Sequence, residues 1–137
     1  MHVQPYLSFD GRCEEALEFY RGAIGAEVTM LMRFRDCPEP QDQRMVPPGG
    51  GDKVMHASFR VGETTLMASD SRCGGGSGFE GFALSIAARD DAEAERLFAS
   101  LADGGRVQMP LSKTFFSSRF GTVADRYGVS WMILVAA

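Results

Sequence analysis

Apolar and polar positions over residues 1–70 predict four strands and one helix. From Val3 to Phe9 the two kinds of residue alternate, which is typical of a strand with one face against a helix layer. From Cys13 to Ile24 apolar residues recur at helical spacing, and Gly25 follows directly, as glycine does at many helix ends. Three further strands are predicted, over 27–35, 54–60 and 64–69. The predicted order is therefore β-α-β-β-β.

The same order is predicted a second time after a glycine-rich stretch. Residues 71–78, SRCGGGSG, have the composition of a flexible linker. Residues 82–87 then alternate, and Asp90 or Asp91 can cap a helix over 92–101. Strands are predicted over 107–111, 117–124 and 129–135.

This internal repeat is the main evidence on architecture. It predicts an α+β fold of two βαβββ modules, residues 1–70 and 79–137, within a single domain that spans 1–137. Each module has one apolar sheet face that must be covered. We therefore expect the sheets to form a half-open barrel with helices outside and a cleft between the modules.

Composition and charge argue against several classes of function. The formal net charge is −4 and the 14 Lys and Arg residues are scattered, so the basic stripe of a nucleic-acid-binding protein is missing. No apolar run approaches the roughly 20 residues of a membrane helix. Cys13, Cys37 and Cys73 are odd in number and far apart, which favours reduced thiols in a cytoplasmic protein. We expect neither nucleic acid nor membrane as a partner.

The segment 36–52 holds four of the six prolines and three consecutive glycines, which indicates a loop. A loop of this length in a compact domain is typical of a functional or mobile element, so it is interpreted as a lid or a dimer arm. The edge strands of such a barrel also need covering, which favours a homodimer.

Three stretches carry a resemblance to a known family. They are QPYLSFDGRCEEALEFY, VMHASFRVGETTLMASD and FFSSRFGTVADRYGVSWMI. The chain resembles the vicinal oxygen chelate superfamily (glyoxalase, bleomycin-resistance and extradiol dioxygenase proteins) over essentially its whole length. Within it, the chain is similar to the PhnB-like group, also labelled demethylubiquinone-methyltransferase-like. The resemblance implies the glyoxalase/bleomycin-resistance fold.

The resemblance also implies positions for a divalent metal, which enzymes of the superfamily hold on inward-facing strand residues. These positions fall on Gln4, Gly81 and Met132, and the strand over 64–69 has no carboxylate or imidazole. A lone amide oxygen does not hold a first-row divalent ion. We therefore expect no metal and no other cofactor, and a metal-dependent lyase or dioxygenase is the less favoured reading.

His56 is the candidate catalytic residue. It lies mid-strand with Ser58 and Arg60 on the polar side, and an imidazole near its ordinary pKa suits general acid–base catalysis. The alternative is a structural histidine bonded to a neighbouring strand or to a dimer partner.

Five other residues are candidate ligand contacts. Gln4, Tyr6 and Ser8 share one face of the first strand, where they either fix a ligand or form a hydrated wall. Phe116 and Arg119 are predicted to lie beside the cleft with Lys113 and Phe115, where aromatic walls and a cation suit a planar anion. Alternatively, Phe115 and Phe116 fill the core and Arg119 pairs with Asp125.

Trp131 shares the parity of Ile133 and Val135, so it is expected in the core under the helices. Six methionines are predicted to make a methionine-rich interior, which fits either a pliable apolar pocket or loose packing: Met30, Met32, Met55, Met67, Met109 and Met132.

Two functions fit these observations. The first is the binding of a small, partly apolar molecule in the cleft without a metal, with or without catalysis. The alternative is a non-catalytic dimeric scaffold or an orphan paralogue. Fold resemblance alone does not decide between them.

Overall fold

The computed structural model describes residues 1–36, 50–70 and 79–135. Two compact units are present, Met1–Ser77 (unit 1) and Gly78–Ala137 (unit 2). Each unit has the order β-α-β-β-β, so the expected α+β architecture of two βαβββ modules is confirmed. The stretch 71–78, interpreted as a linker, and most of the loop 36–52 lie outside the described residues.

Unit 1 is a four-stranded mixed sheet with one helix. Its elements are β1 (Tyr6–Ser8), α1 (Cys13–Ile24), β2 (Glu27–Arg33), β3 (Val54–Val61) and β4 (Thr64–Ser69). The strand order is β1-β4-β3-β2, with β1 parallel to β4 and the other pairs antiparallel.

Unit 2 repeats this topology. Its elements are β5 (Leu84–Ala88), α2 (Asp91–Ala102), β6 (Arg106–Ser112), β7 (Phe120–Ala124) and β8 (Ser130–Val135). The order is β5-β8-β7-β6, again with one parallel pair, β5 and β8. Of the helices in the described parts of both units, none is long and apolar enough to cross a membrane.

The two helices begin and end where local chemistry predicts. Gly25 adopts a left-handed conformation, φ 71°, that glycine tolerates at little cost, and it ends α1. Asp90 caps α2 by accepting a hydrogen bond from the Glu93 backbone N–H at 2.8 Å. Both helices match their predicted spans to within a residue at each end.

The strands are shorter than predicted at several ends. β1 covers only Tyr6–Ser8 of the predicted 3–9, and β2 gives way at Phe34 to a 3₁₀ turn. β7 begins at Phe120 rather than at Ser117, because Ser117 belongs to a turn in which its carbonyl accepts from the Thr114 N–H. The alternation of apolar and polar residues continues beyond the hydrogen-bonded part of these strands, so it overestimates their length.

Each unit buries the sheet face that lies under its helix. In unit 1, Tyr20 of α1 stacks on Phe59 with ring centroids 6.1 Å apart, and both side chains are fully buried. In unit 2, Trp131 is 2% exposed, which confirms its expected place in the core. Its indole N–H donates to the buried Asp125 carboxylate at 2.8 Å, so the ring is buried with its polar atom paired.

A buried carboxylate joins three segments of unit 1. Asp70 directly follows β4 and is 1% exposed. One carboxylate oxygen accepts the backbone N–H groups of Gly11 and Cys13, both at 2.8 Å, where α1 begins. The other oxygen accepts the Val54 N–H at 3.0 Å, at the start of β3. The charge is thereby paired with otherwise unpaired helix N-terminal donors.

Replacing Asp70 by asparagine should destabilise unit 1, because an amide has one acceptor oxygen and its NH₂ group must face at least one of the three N–H donors. We expect a loss of about 1–3 kcal/mol in the free energy of unfolding, measured by urea titration. Asp103→Asn, on an exposed side chain, is the matched control and should change little. Equal stability of the two variants would contradict this role of Asp70.

Candidate functional site

The sheet face of unit 1 opposite α1, called here the open face, carries the candidate residues. Strand register brings Met30, Ser58, Met67 and Tyr6 into one row across all four strands. Tyr6 and Met30 are 44% and 42% exposed, and Ser58 and Met67 are half-buried. A face that carries several partly exposed apolar side chains is typical of a binding surface.

His56 lies on the open face beside this row. From His56 to Arg60 the residues of β3 alternate as expected, with Ala57 and Phe59 fully buried under α1. Before His56 the alternation breaks, since Val54 is fully buried and Met55 is half-buried. The imidazole is half-buried, and its ring centroid is 5.8 Å from that of Tyr6. Within the described residues, no hydrogen bond or ion pair of His56 is found, and its ring contact is with Tyr6.

Arg60 and the remaining first-strand candidates lie around this pair. Arg60 is exposed and donates to Glu27 at 2.7 Å, which holds its charge at the far end of β3. Ser8 is half-buried on β1, two residues beyond Tyr6. Gln4 is exposed and precedes β1, so it belongs to the chain leading into the sheet rather than to a strand.

The open face of unit 2, opposite α2, has a related row. Register aligns Met109, Thr122, Met132 and Ser85, so a hydroxyl residue again stands between two methionines. Phe120 lies two residues before Thr122, where unit 1 has His56 two residues before Ser58. The second unit therefore keeps the thioethers and replaces the imidazole by a phenyl ring.

Phe116 and Arg119 have different surroundings. Phe116 is 44% exposed and packs edge-on against Phe120 with centroids 5.0 Å apart, so it extends the open face of unit 2. Arg119 reaches α2 instead, where its guanidinium lies 3.2 Å from Glu95 and 3.7 Å from Asp91. These ion pairs orient the Arg119 side chain toward α2.

Two expectations for side chains are wrong, and one alternative that the sequence left open is not found. Phe115, expected to fill the core, is fully exposed in the turn after β6. Arg119 does not pair with Asp125, because that carboxylate accepts from the backbone of Tyr127 and Val129 and from Trp131. The six methionines do not form an interior, since each is half-buried or exposed on its strand.

The positions implied for a divalent metal do not fit one. Gln4 is an exposed amide before β1, Gly81 has no side chain and lies in a turn with φ 80°, and Met132 offers a thioether. The outward residues of β4 are Thr65, Met67 and Ser69. The described residues contain no group of three or more His, Cys, Asp or Glu that could hold a metal ion. Hard or borderline divalent ions prefer those ligands, so no step is assigned to a divalent metal here.

A second feature is a charged cavity of about 320 Å³ at the start of α1, which no pattern in the sequence indicates. The Arg33 guanidinium hydrogen-bonds to the Glu14 carboxylate at 3.1 Å and lowers the pKa of Glu14. The Lys53 ammonium donates to the Gly11 carbonyl at 2.9 Å. These partners are far apart in sequence, so periodicity does not reveal them, and their mutual pairing indicates a structural role.

Comparison with known proteins decides the family. The family model described as 3-demethylubiquinone-9 3-methyltransferase matches residues 1–134. The chain belongs to this family. Solved glyoxalase/bleomycin-resistance and glyoxalase-related proteins share the fold of its members. The expected place in the PhnB-like group is thereby confirmed, and so is the expected glyoxalase/bleomycin-resistance fold.

Individual relatives align over almost the whole chain. Protein YjdN of Escherichia coli K12 is 34% identical, covering 98% of this chain and 95% of its own. The crystal structure of PA1353 from Pseudomonas aeruginosa is 42% identical with a TM-score of 0.84, covering 99% and 98%. The PhnB protein of Bacillus cereus is 29% identical with a TM-score of 0.80, covering 99% and 100%.

The methyl transfer in the family's description has no counterpart in the described fold. Nucleotide-type cofactors typically sit on a mainly parallel sheet, at a glycine-rich turn that opens a helix. Each of the two sheets has one parallel strand pair among its three strand pairs. At the start of α1, the backbone N–H groups of Gly11 and Cys13 already donate to the Asp70 carboxylate. Methyl transfer is therefore not assigned to this chain.

The thiol of Cys13 is made unreactive by its burial. Its side chain is fully buried at the start of α1. Burial, with smaller contributions from the negative charges of Asp70 and Glu14, raises the pKa of the Cys13 thiol far above its ordinary value of 9.0. A thiol that stays protonated neither attacks substrates nor binds metals readily, so Cys13 is structural.

The raised thiol pKa predicts a pH dependence of stability. Above about pH 9 the unfolded thiol loses its proton while the folded thiol keeps it, so stability should fall as pH rises. The fall should be smaller in Cys13→Ala, in urea titrations from about pH 8 to pH 10 on a Cys37→Ser/Cys73→Ser background. Identical pH profiles for the two proteins would contradict the burial argument.

Proposed function

We propose that this protein binds a small, partly apolar molecule on the open face of unit 1, without the divalent metal of the superfamily. One observation carries the proposal: a half-buried imidazole with no hydrogen-bond partner among the described residues stands beside an exposed tyrosine and a methionine row. An apolar surface with one convergent polar group is the usual composition of a small-molecule site.

The residue roles follow from their positions. Tyr6 supplies an aromatic wall and a phenolic hydroxyl, and His56 supplies one donor and one acceptor in its neutral form. Met30 and Met67 adapt to the shape of the ligand. If the bound molecule is also converted, His56 is the candidate general base. Ser8 and Gln4 are proposed as contacts at the margin of this face, and Phe116 as a contact on the face of unit 2.

A ligand screen by thermal denaturation in EDTA tests this proposal. A ligand of the folded state raises the melting temperature by mass action, and small aromatic compounds with a hydroxyl or carbonyl group are the first set to screen. The shift should vanish in His56→Ala and Tyr6→Ala, while Phe115→Ala, exposed in unit 2, should leave it unchanged.

The unliganded variants separate a binding role from a structural one. For a binding role, His56→Ala unfolds at the same urea concentration as the parent protein. If the histidine is structural, the same variant loses about 1–3 kcal/mol of stability, and the loss of ligand response then reflects unfolding. Unchanged ligand shifts in both His56→Ala and Tyr6→Ala would overturn the proposal.

A dimeric scaffold is the second candidate, and the edge strands favour it. β2 and β6 each end a sheet and expose apolar side chains, Val28 and Met30 on one and Val107 and Met109 on the other. Exposed edges of this kind are usually covered by a second chain. We also propose a cytoplasmic location, which rests on the odd number of cysteines.

Light scattering at micromolar concentration should therefore give twice the chain mass of 14.9 kDa. Introducing lysine at Met109 and Val107 should shift the mass toward one chain, because charges on an edge strand oppose pairing. A single-chain mass for the parent protein would count against the dimer.

A further inference from the structure

We propose that the open face of unit 1 binds a soft monovalent metal ion, Cu(I), between the imidazole of His56 and the thioethers of Met32 and Met67. This inference does not depend on the small-molecule ligand proposed above. It differs from the superfamily's divalent site in its residues and in the class of metal.

Strand register brings the three side chains together. Met32 on β2 is the direct cross-strand partner of His56 on β3. Met67 on β4 is the partner of Ser58, two residues along the same strand, so it lies diagonal to His56 on the same face. Direct partners have Cβ atoms about 4.5–5.5 Å apart, and diagonal neighbours are within reach of long side chains.

The chemistry of this set selects the ion. Thioether sulfur is a soft ligand that favours Cu(I), and imidazole suits copper as well. Within the described residues, register places no carboxylate in the rows of His56 and Ser58, and Glu27 is held by Arg60 at the end of the strand. The set therefore lacks the oxygen ligands on which Mg²⁺, Ca²⁺ or Mn²⁺ would depend.

The surroundings keep the ligands free and partly desolvated. Met32, His56 and Met67 are all half-buried, so a bound ion is partly shielded from water. The Tyr6 ring packs beside the imidazole and restricts its rotation without occupying its nitrogens. The Cys13 thiol is buried at the start of α1, and burial keeps it protonated, so it does not compete for the ion.

The repeat supplies a control inside the same chain. Met109 and Met132 flank Thr122 as Met30 and Met67 flank Ser58, but Phe120 stands where His56 would be. The cross-strand partner of Phe120 is Ser112, whereas that of His56 is Met32. Unit 2 therefore keeps the counterpart of Met67 but lacks those of His56 and Met32. Binding that needs the complete set should occur in unit 1 alone.

The test uses Ag(I), a redox-inert probe of soft sites, on protein with ¹³C-methyl-labelled methionine. Cys37→Ser/Cys73→Ser is the background, because both thiols lie outside the described residues and bind soft metals themselves. We expect one Ag(I) per chain by calorimetry, with methyl shifts at Met32 and Met67 and none at Met109 and Met132. Cu(I), held reduced by ascorbate and competed with bicinchoninate, should show the same stoichiometry.

Variants then assign the ligands. His56→Gln, Met32→Leu and Met67→Leu should each weaken Ag(I) binding about tenfold or more, since loss of even an outer-shell partner of a metal ligand costs 10–100-fold. Met109→Leu and Met132→Leu are the matched controls and should bind as the parent protein does. Leucine is close to methionine in volume, and circular dichroism will verify folding. No binding, equal shifts in the two units, or unchanged affinity in His56→Gln would each overturn the proposal.

Discussion

The carboxylate of Asp70 is the interaction on which unit 1 depends. A buried charge is costly unless hydrogen bonds replace its hydration, and here three backbone N–H groups from the α1 turn and from β3 do so. The Asp70 N–H also donates to the Val54 carbonyl at 2.8 Å. The end of β4, the start of β3 and the start of α1 are thus held together. The register that builds the open face, with Tyr6 beside Met67 and Met67 beside Ser58, follows from that junction.

Unit 2 reaches the same topology with different polar contacts. The Ser117 hydroxyl oxygen accepts the Val135 N–H at 3.0 Å, and the hydroxyl donates to the Val135 carbonyl at 2.8 Å. These two hydrogen bonds hold the end of β8. Asp125 closes the β7–β8 turn and pairs the Trp131 indole. Helix-to-sheet packing is therefore common to the repeat, whereas the buried polar groups are not. The open faces differ as well, since Phe120 in unit 2 occupies the position that His56 has in unit 1. The two units therefore offer different chemistry on one scaffold.

The functional argument turns on which ligands the strands present. The positions implied for a divalent metal hold an amide, a glycine and a thioether, a set that does not suit such an ion. The open face of unit 1 combines an imidazole, without a hydrogen-bond partner among the described residues, with a phenol and thioethers. This combination suits a neutral, polarisable ligand or a soft ion. Both proposals share His56. Their tests differ in probe and condition, since one screens organic compounds in EDTA and the other titrates Ag(I).

Sequence alone determined both helices, the β-α-β-β-β repeat, the core position of Trp131 and the side of β3 on which His56 lies. Helical and strand periodicities and helix caps are local, so they can be read from neighbouring residues. Only the tertiary structure decided that Asp70 and Asp125 are buried, that Arg119 pairs with α2 rather than with Asp125, and that Phe115 is exposed. It also placed Met30, Met67, Met109 and Met132 in rows on the two open faces rather than in an interior. These outcomes depend on which distant donors and apolar surfaces compete for each side chain, and no local pattern contains that information.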